Sequence, residues 1–193
     1  MRKKSLLIGA PTLIFLAFML ISDRSGIALM TVFAALLHEC GHIIAAKLLH
    51  IPLRELRLDL LGARLEVAGR ILSYGEEWLL AAAGPLSSLV VALLAAPFWK
   101  FTPMSVTFSC ASLLLGLLNL LPIRTFDGGR MLESALNTLI GERRSYRVMK
   151  GCSFLFLFLL WAVAVYFLLR ANDGLSLLCF SMSLFGRFFE AKQ

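Results

Sequence analysis

Two stretches of this chain, Leu6–Ile21 and Phe154–Leu169, run on without a single charged residue. A soluble fold of 193 residues could bury a core, but it could not hide apolar runs of this kind. Composition agrees: 59% of residues are hydrophobic, 16% are charged and the mean hydropathy is +0.83, against about 45–50% and about 25% in ordinary soluble domains. Secreted, disordered and collagen-like classes are excluded with the soluble ones. The expected fold class is an all-α polytopic membrane protein.

Allowing about 20 apolar residues per crossing, the chain divides into about six spans: Ser5–Ser22, Ile27–His50, Trp78–Trp99, Met104–Leu121, Cys152–Arg170 and a short Leu175–Phe189. Two polar stretches remain, Ile51–Glu77 and Pro122–Gly151. Six spans put both termini and both of these loops on one side. That side collects 16 of the 19 Lys and Arg residues, so the positive-inside rule makes it cytosolic. The net charge of +7 is thereby accounted for by topology; the basic residues flank apolar runs and form no groove or tract for nucleic acid. Met1–Ile21 has the outline of a signal peptide but no convincing small-x-small cleavage site, and is expected to be retained. The chain reads as one integral-membrane domain, with a core over residues 5–140 and additional C-terminal helices over 152–189.

After the second span, residues 56–60 and 63–67 alternate apolar and polar around Leu61-Gly62, which predicts a small cytosolic β-hairpin. The third span opens on Ser73-Tyr74-Gly75-Glu76, with capping-box spacing. The four cysteines lie in or beside apolar runs and form no CxxC pair, so they read as buried small hydrophobes. The run Gly141–Lys150 reads by default as a solvated basic linker, with contact to anionic lipid headgroups as the alternative.

The second span carries His38, Glu39 and His42, and a charge near the bilayer centre costs at least about 2.5–3.5 kcal/mol on insertion scales. His38-Glu39-Cys40-Gly41-His42 is HExxH. On a helix, i and i+4 share a face, so both imidazoles can reach one metal ion while Glu39 stands beside it. Packed core histidines would be the plain alternative, but polar residues at lipid depth usually mark chemistry or transport. Two ligands leave a catalytic zinc site one short. His50 lies eight residues beyond His42 and reads as interfacial. Asp127 follows the fourth span, after Asn119 and Pro122 and directly before Gly128-Gly129. It either caps a helix beginning near Gly128 or supplies the missing ligand, and the incomplete HExxH site favours ligation.

HExxH in an early span, Gly84-Pro85 in the next, and Asn119-x-x-Pro122-x-x-x-x-Asp127-Gly128 after the one following resemble the site-2 protease family of intramembrane zinc metalloproteases. Six spans and the continuation Asp-Gly-Gly-Arg look most like its sporulation branch, that of stage IV sporulation protein FB. The resemblance implies one Zn²⁺ per chain held by His38, His42 and Asp127, with Glu39 as the catalytic acid and base. Asn119, with Pro122 and Gly128, would support the site or hold substrate. Ser88 stands where related sequences often have asparagine, and Thr125 where the branch often has a second proline. The resemblance further implies a bacterial cell membrane, a membrane-associated protein substrate such as a sigma-factor precursor, and an inhibitory membrane partner. The CBS or PDZ domain of some relatives is not expected within these 193 residues. A metal-ion carrier and an inactive membrane-protein-binding homologue are the rival readings; the first leaves Glu39 unexplained and shows no internal repeat.

Overall fold

The computed structural model describes residues 5–8, 10–59, 62–67, 69–171 and 175–190. The basic start Met1–Lys4 and the hairpin tip at Leu61 lie outside them. Contacts divide the chain into two units, Met1–Leu118 and Asn119–Gln193.

In the first unit, β1 (Ser5–Ile8) leads into α1 (Ala10–Ser22) and α2 (Ile27–Leu48). Strand β2 (Leu53–Asp59) then pairs antiparallel with β3 (Gly62–Val67) and parallel with β1, giving the sheet order β1-β2-β3. Helix α3 (Tyr74–Ala95), a 3-10 turn at Ala96–Lys100 and α4 (Pro103–Asn119) follow. The second unit holds α5 (Asp127–Ile140), α6 (Glu142–Ala171) and α7 (Leu175–Glu190).

Three of these helical stretches are long and apolar enough to cross a membrane: Ile27–Leu48, Tyr74–Lys100 and Glu142–Arg170. Pro103–Asn119 and Leu177–Phe188 are apolar but shorter. The first expected span differs most. Ser5–Ile8 is drawn into the sheet, leaving α1 with 13 residues, about 20 Å of helix against a hydrocarbon core of about 30 Å. The basic run Gly141–Lys150 also departs from expectation: Gly141 closes α5, and residues 142–150 form the first turns of α6, so there is no linker. Large apolar side chains along α6 point outward, Phe154, Leu155, Phe158, Leu159 and Phe167 among them, as suits a helix with lipid for solvent.

Local chemistry explains the helix ends. Asp23 accepts from the backbone N–H of Ser25 at 2.8 Å and of Ala28 at 2.6 Å, and so satisfies the exposed donors at the start of α2. Bonds from the Ser25 hydroxyl and from these backbone groups hold its carboxyl below the ordinary carboxylate value. Ser73 and Glu76 form the capping box of α3: Glu76 N–H donates to Ser73 Oγ at 3.3 Å and Ser73 N–H to Glu76 Oε2 at 3.0 Å. Helix α2 ends on His50 in the left-handed region, φ 53°, with Ile51 N–H donating to Ala46 O at 2.8 Å and His50 N–H to Lys47 O at 3.1 Å. This is a Schellman closure with histidine where glycine is usual. Because the left-handed conformation costs an L residue roughly 1–2 kcal/mol, His50→Gly should raise the thermal midpoint by about 2–4 °C. A fall in differential scanning fluorimetry would mean that the exposed imidazole has a role beyond the turn.

Beneath the sheet, Ala46, Ile51 and Leu80 form a small buried core, with Leu49, Leu53, Val67 and Leu72 against it. In the second unit Ile123, Phe126, Leu157 and Leu184 form another, flanked by Leu121, Phe156 and Phe180.

Candidate functional site

Within the first unit, α2 and α3 meet through small residues. A Cβ on Gly41 would lie 2.6 Å from the Ala83 carbonyl oxygen and 2.8 Å from Ser87 Cβ, so only glycine lets the backbones approach this closely. Ser87 Oγ donates to Gly84 O at 2.7 Å, with Leu37 O at 3.2 Å across the interface. Helix α4 also approaches α3: Gly116 sits where an added Cβ would be 3.1 Å from Ser88 Cβ and 3.3 Å from Pro85 O. Helix α3 is thus held closely by two helices, at the turn that carries Gly84-Pro85.

This close approach orients the histidines. His38 and His42 are buried, 4% and 5% exposed, with ring centroids 5.0 Å apart and planes at 79°. His42 Nδ1 lies 2.8 Å from Leu80 O. A carbonyl only accepts, so Nδ1 carries the proton and Nε2 the lone pair. His38 Nδ1 lies 2.9 Å from Ser88 Oγ, and Ser88 is 1% exposed. Both Nε2 atoms turn to the same place, the space over Gly84: a Cβ there would be 2.7 Å from His38 Nε2 and would overlap His42 Nε2. Two imidazoles pinned at Nδ1 and convergent at Nε2 are the arrangement of a metal pair with its outer hydrogen bonds in place. Glu39, the next residue on α2, is half-buried. Cys40 is exposed on another face, and with Cys110 and Cys179 also exposed and Cys152 half-buried the cysteines are not the buried residues expected; they lie on the outward faces of apolar helices.

In the second unit Asp127 is 9% exposed and is the first residue of α5. The N-cap is Phe126, whose side chain makes no cap bond, so the capping role considered for Asp127 gives way. Its carboxylate has Arg130 Nη1 at 3.9 Å, one turn along. Gly128 and Gly129 explain how the segment closes. A Cβ on Gly128 would be 2.7 Å from Leu120 Cα and would overlap the Leu120 carbonyl; one on Gly129 would be 2.8 Å from Arg124 N and would overlap the Ile123 carbonyl. The obstructing atoms are backbone, so the loop carrying Pro122 folds onto the first turn of α5 only over glycine. Asn119 ends α4. Each unit thus presents donors of a kind that zinc accepts, two imidazoles in the first and the Asp127 carboxylate in the second.

The model of Peptidase family M50 matches residues 95–163. A zinc metalloprotease of Methanocaldococcus jannaschii is 30% identical over 122 residues, which make up 60% of this chain and 35% of that protein. Over these stretches the chain is similar to M50 peptidases. The chain spans about a third of the length of that curated relative (35%). Among solved structures, the site-2 protease from Methanocaldococcus jannaschii superposes with a TM-score of 0.68, covering 97% of this chain and 90% of that one at 20% identity. At that identity the likeness is one of fold.

Three participants in the histidine geometry carry no motif of their own: Ser88, the Leu80 carbonyl and Gly41. Ser88 had a signal, since it follows Gly84-Pro85 by one turn. The Leu80 carbonyl had none, because a backbone oxygen is present at every position.

Proposed function

We propose that the chain is an intramembrane zinc metalloprotease, with one Zn²⁺ held by His38, His42 and Asp127 and with Glu39 as general base and acid. The observation that carries the reading is the convergence of the two Nε2 atoms over Gly84, with each Nδ1 already engaged. Donor chemistry supports zinc, which takes two imidazoles and a carboxylate and leaves a fourth position open in catalytic sites. When bound, it supplies a Lewis acid that makes water more acidic and polarises a peptide carbonyl.

The chain's own residues then have distinct tasks. Leu80 O and Ser88 Oγ fix the imidazole orientations. Glu39 takes a proton from the attacking water at a carboxylate oxygen and returns it to the leaving amine. A helical substrate must unwind before its backbone can be cut, and the sheet offers a surface for the extended segment: β3 is paired on one side only among the described residues, so a substrate strand can add to it by backbone bonds. In this reading the chain is multi-pass with cytosolic termini, the substrate is a membrane-associated protein cut toward the cytosolic side, and an inhibitory membrane protein controls access. The likeness to the sporulation branch, with its sigma-factor precursor, belongs to the same proposal and rests on the Asp127-Gly128-Gly129-Arg130 run.

Metal analysis tests it. Detergent-purified wild type should hold about one zinc per chain, and Asp127→Ala should lose most of it on dialysis without a change in helical circular dichroism. Well-folded wild type that takes up no added zinc would remove the basis of the proposal.

A further inference from the structure

The second unit contains a cavity of about 300 Å³ in which none of the proposed catalytic residues takes part. Its lining changes character along α6. Tyr146 and Lys150 stand on one face at its outer end, and Leu157, about two turns further, is at its floor with Leu184 and Phe188 of α7. Arg187 of α7 and Arg124 of the preceding loop complete the polar end. One cavity therefore spans the level at which both helices pass from charged to apolar sequence.

The cations at its mouth are not equivalent. Arg124 is neutralised locally: its guanidinium meets Glu133 at 2.9 and 3.2 Å and lies 4.9 Å from the centroid of the Tyr146 ring. Glu133 is the one acidic residue in the lining. Lys150 and Arg187 make no ion pair among the described residues. Tyr146 is shared with a second, open hollow lined by Arg143, Arg144 and Arg147 against the single carboxylate of Glu142, which adds net positive charge nearby.

We propose that this cavity binds the headgroup of an anionic glycerophospholipid, with the phosphate between Lys150 and Arg187 and the start of the acyl chains over Leu157, Leu184 and Phe188. Charge complementarity selects an anion, and the apolar floor selects an amphiphile over a free ion. The volume is at the lower end of ligand pockets, which run from about 300 to 1,000 Å³; it suits a headgroup and glycerol, the tails continuing into bilayer. The site is independent of the zinc proposal and holds whether or not the chain cleaves peptides.

Native mass spectrometry of the full chain in mixed micelles gives the test. Wild type should retain phosphatidylglycerol over phosphatidylcholine by about thirtyfold, from about 1 kcal/mol for each of two basic side chains. K150A/R187A should bring the two lipids near parity; K150R/R187K and the charge-matched K47A/K100A should keep the preference. Millimolar inorganic phosphate should not displace the lipid. Equal retention of both lipids by wild type, equal loss in K47A/K100A, or displacement by inorganic phosphate would each overturn the proposal, the last by assigning the cavity to a free anion.

Discussion

Glu39→Gln should abolish cleavage while leaving the protein folded and metallated. Glutamine keeps the size of the side chain and an oxygen acceptor, but it cannot take the proton of the attacking water. Positioned proton transfer contributes typically 10²–10⁴-fold, and here one group serves both halves of the cycle, so the loss belongs at the upper end of that range. Membranes from cells expressing wild type and the variant can be compared by mass spectrometry of new peptide termini. Membrane-protein fragments should appear with wild type and be missing with Glu39→Gln at equal expression and zinc content. The same fragments from both would make Glu39 a bystander and favour a binding role or a metal carrier.

The second large effect is expected from a single methyl group. Gly84→Ala would put a Cβ 2.7 Å from His38 Nε2 and into His42 Nε2, where both lone pairs should face the metal. The rings cannot swing away cheaply, because Leu80 O and Ser88 Oγ hold them from behind. Either the imidazoles lose those bonds or α3 moves away from α2. Loss of an outer-shell partner alone costs metal sites about 10–100-fold in affinity, and direct obstruction should exceed that. Zinc content should fall below one tenth of wild type, by about the same measure as for His38→Ala. Wild-type zinc in Gly84→Ala would show that the metal, if any, sits elsewhere.

The legible parts of this molecule were those in which a side chain's chemistry conflicted with its surroundings. Charged residues in an apolar run singled out His38, Glu39 and His42, and helical periodicity alone placed the two imidazoles on one face, where their rings stand 5.0 Å apart. Capping was legible too, since Ser73 and Glu76 carry their function in their spacing. Less could be seen where backbone decides. Ser5–Ile8 continues an apolar run, and nothing in its composition separates a strand beside β2 from the first turn of a helix. The charged start of α6 resembled a linker because hydropathy registers where a membrane ends, not where a helix does. Asp127 allowed two readings from sequence; α5 takes Phe126 as its N-cap, which bears on the capping reading alone.

The two histidine supports differ in what they permit a lineage to change. The Leu80 carbonyl survives any substitution at position 80, so the orientation of His42 is inherited with α3 itself. Ser88 holds His38 by a replaceable hydroxyl. Variation among descendants of this sequence should therefore fall unevenly: at Leu80 among apolar side chains of similar bulk that keep the buried core filled, and at Ser88 only among small hydrogen-bonding residues that leave room for Gly116 behind them. A drift at Ser88 would alter the pose of one imidazole and leave the other untouched, a route by which such a site could be retuned without being rebuilt.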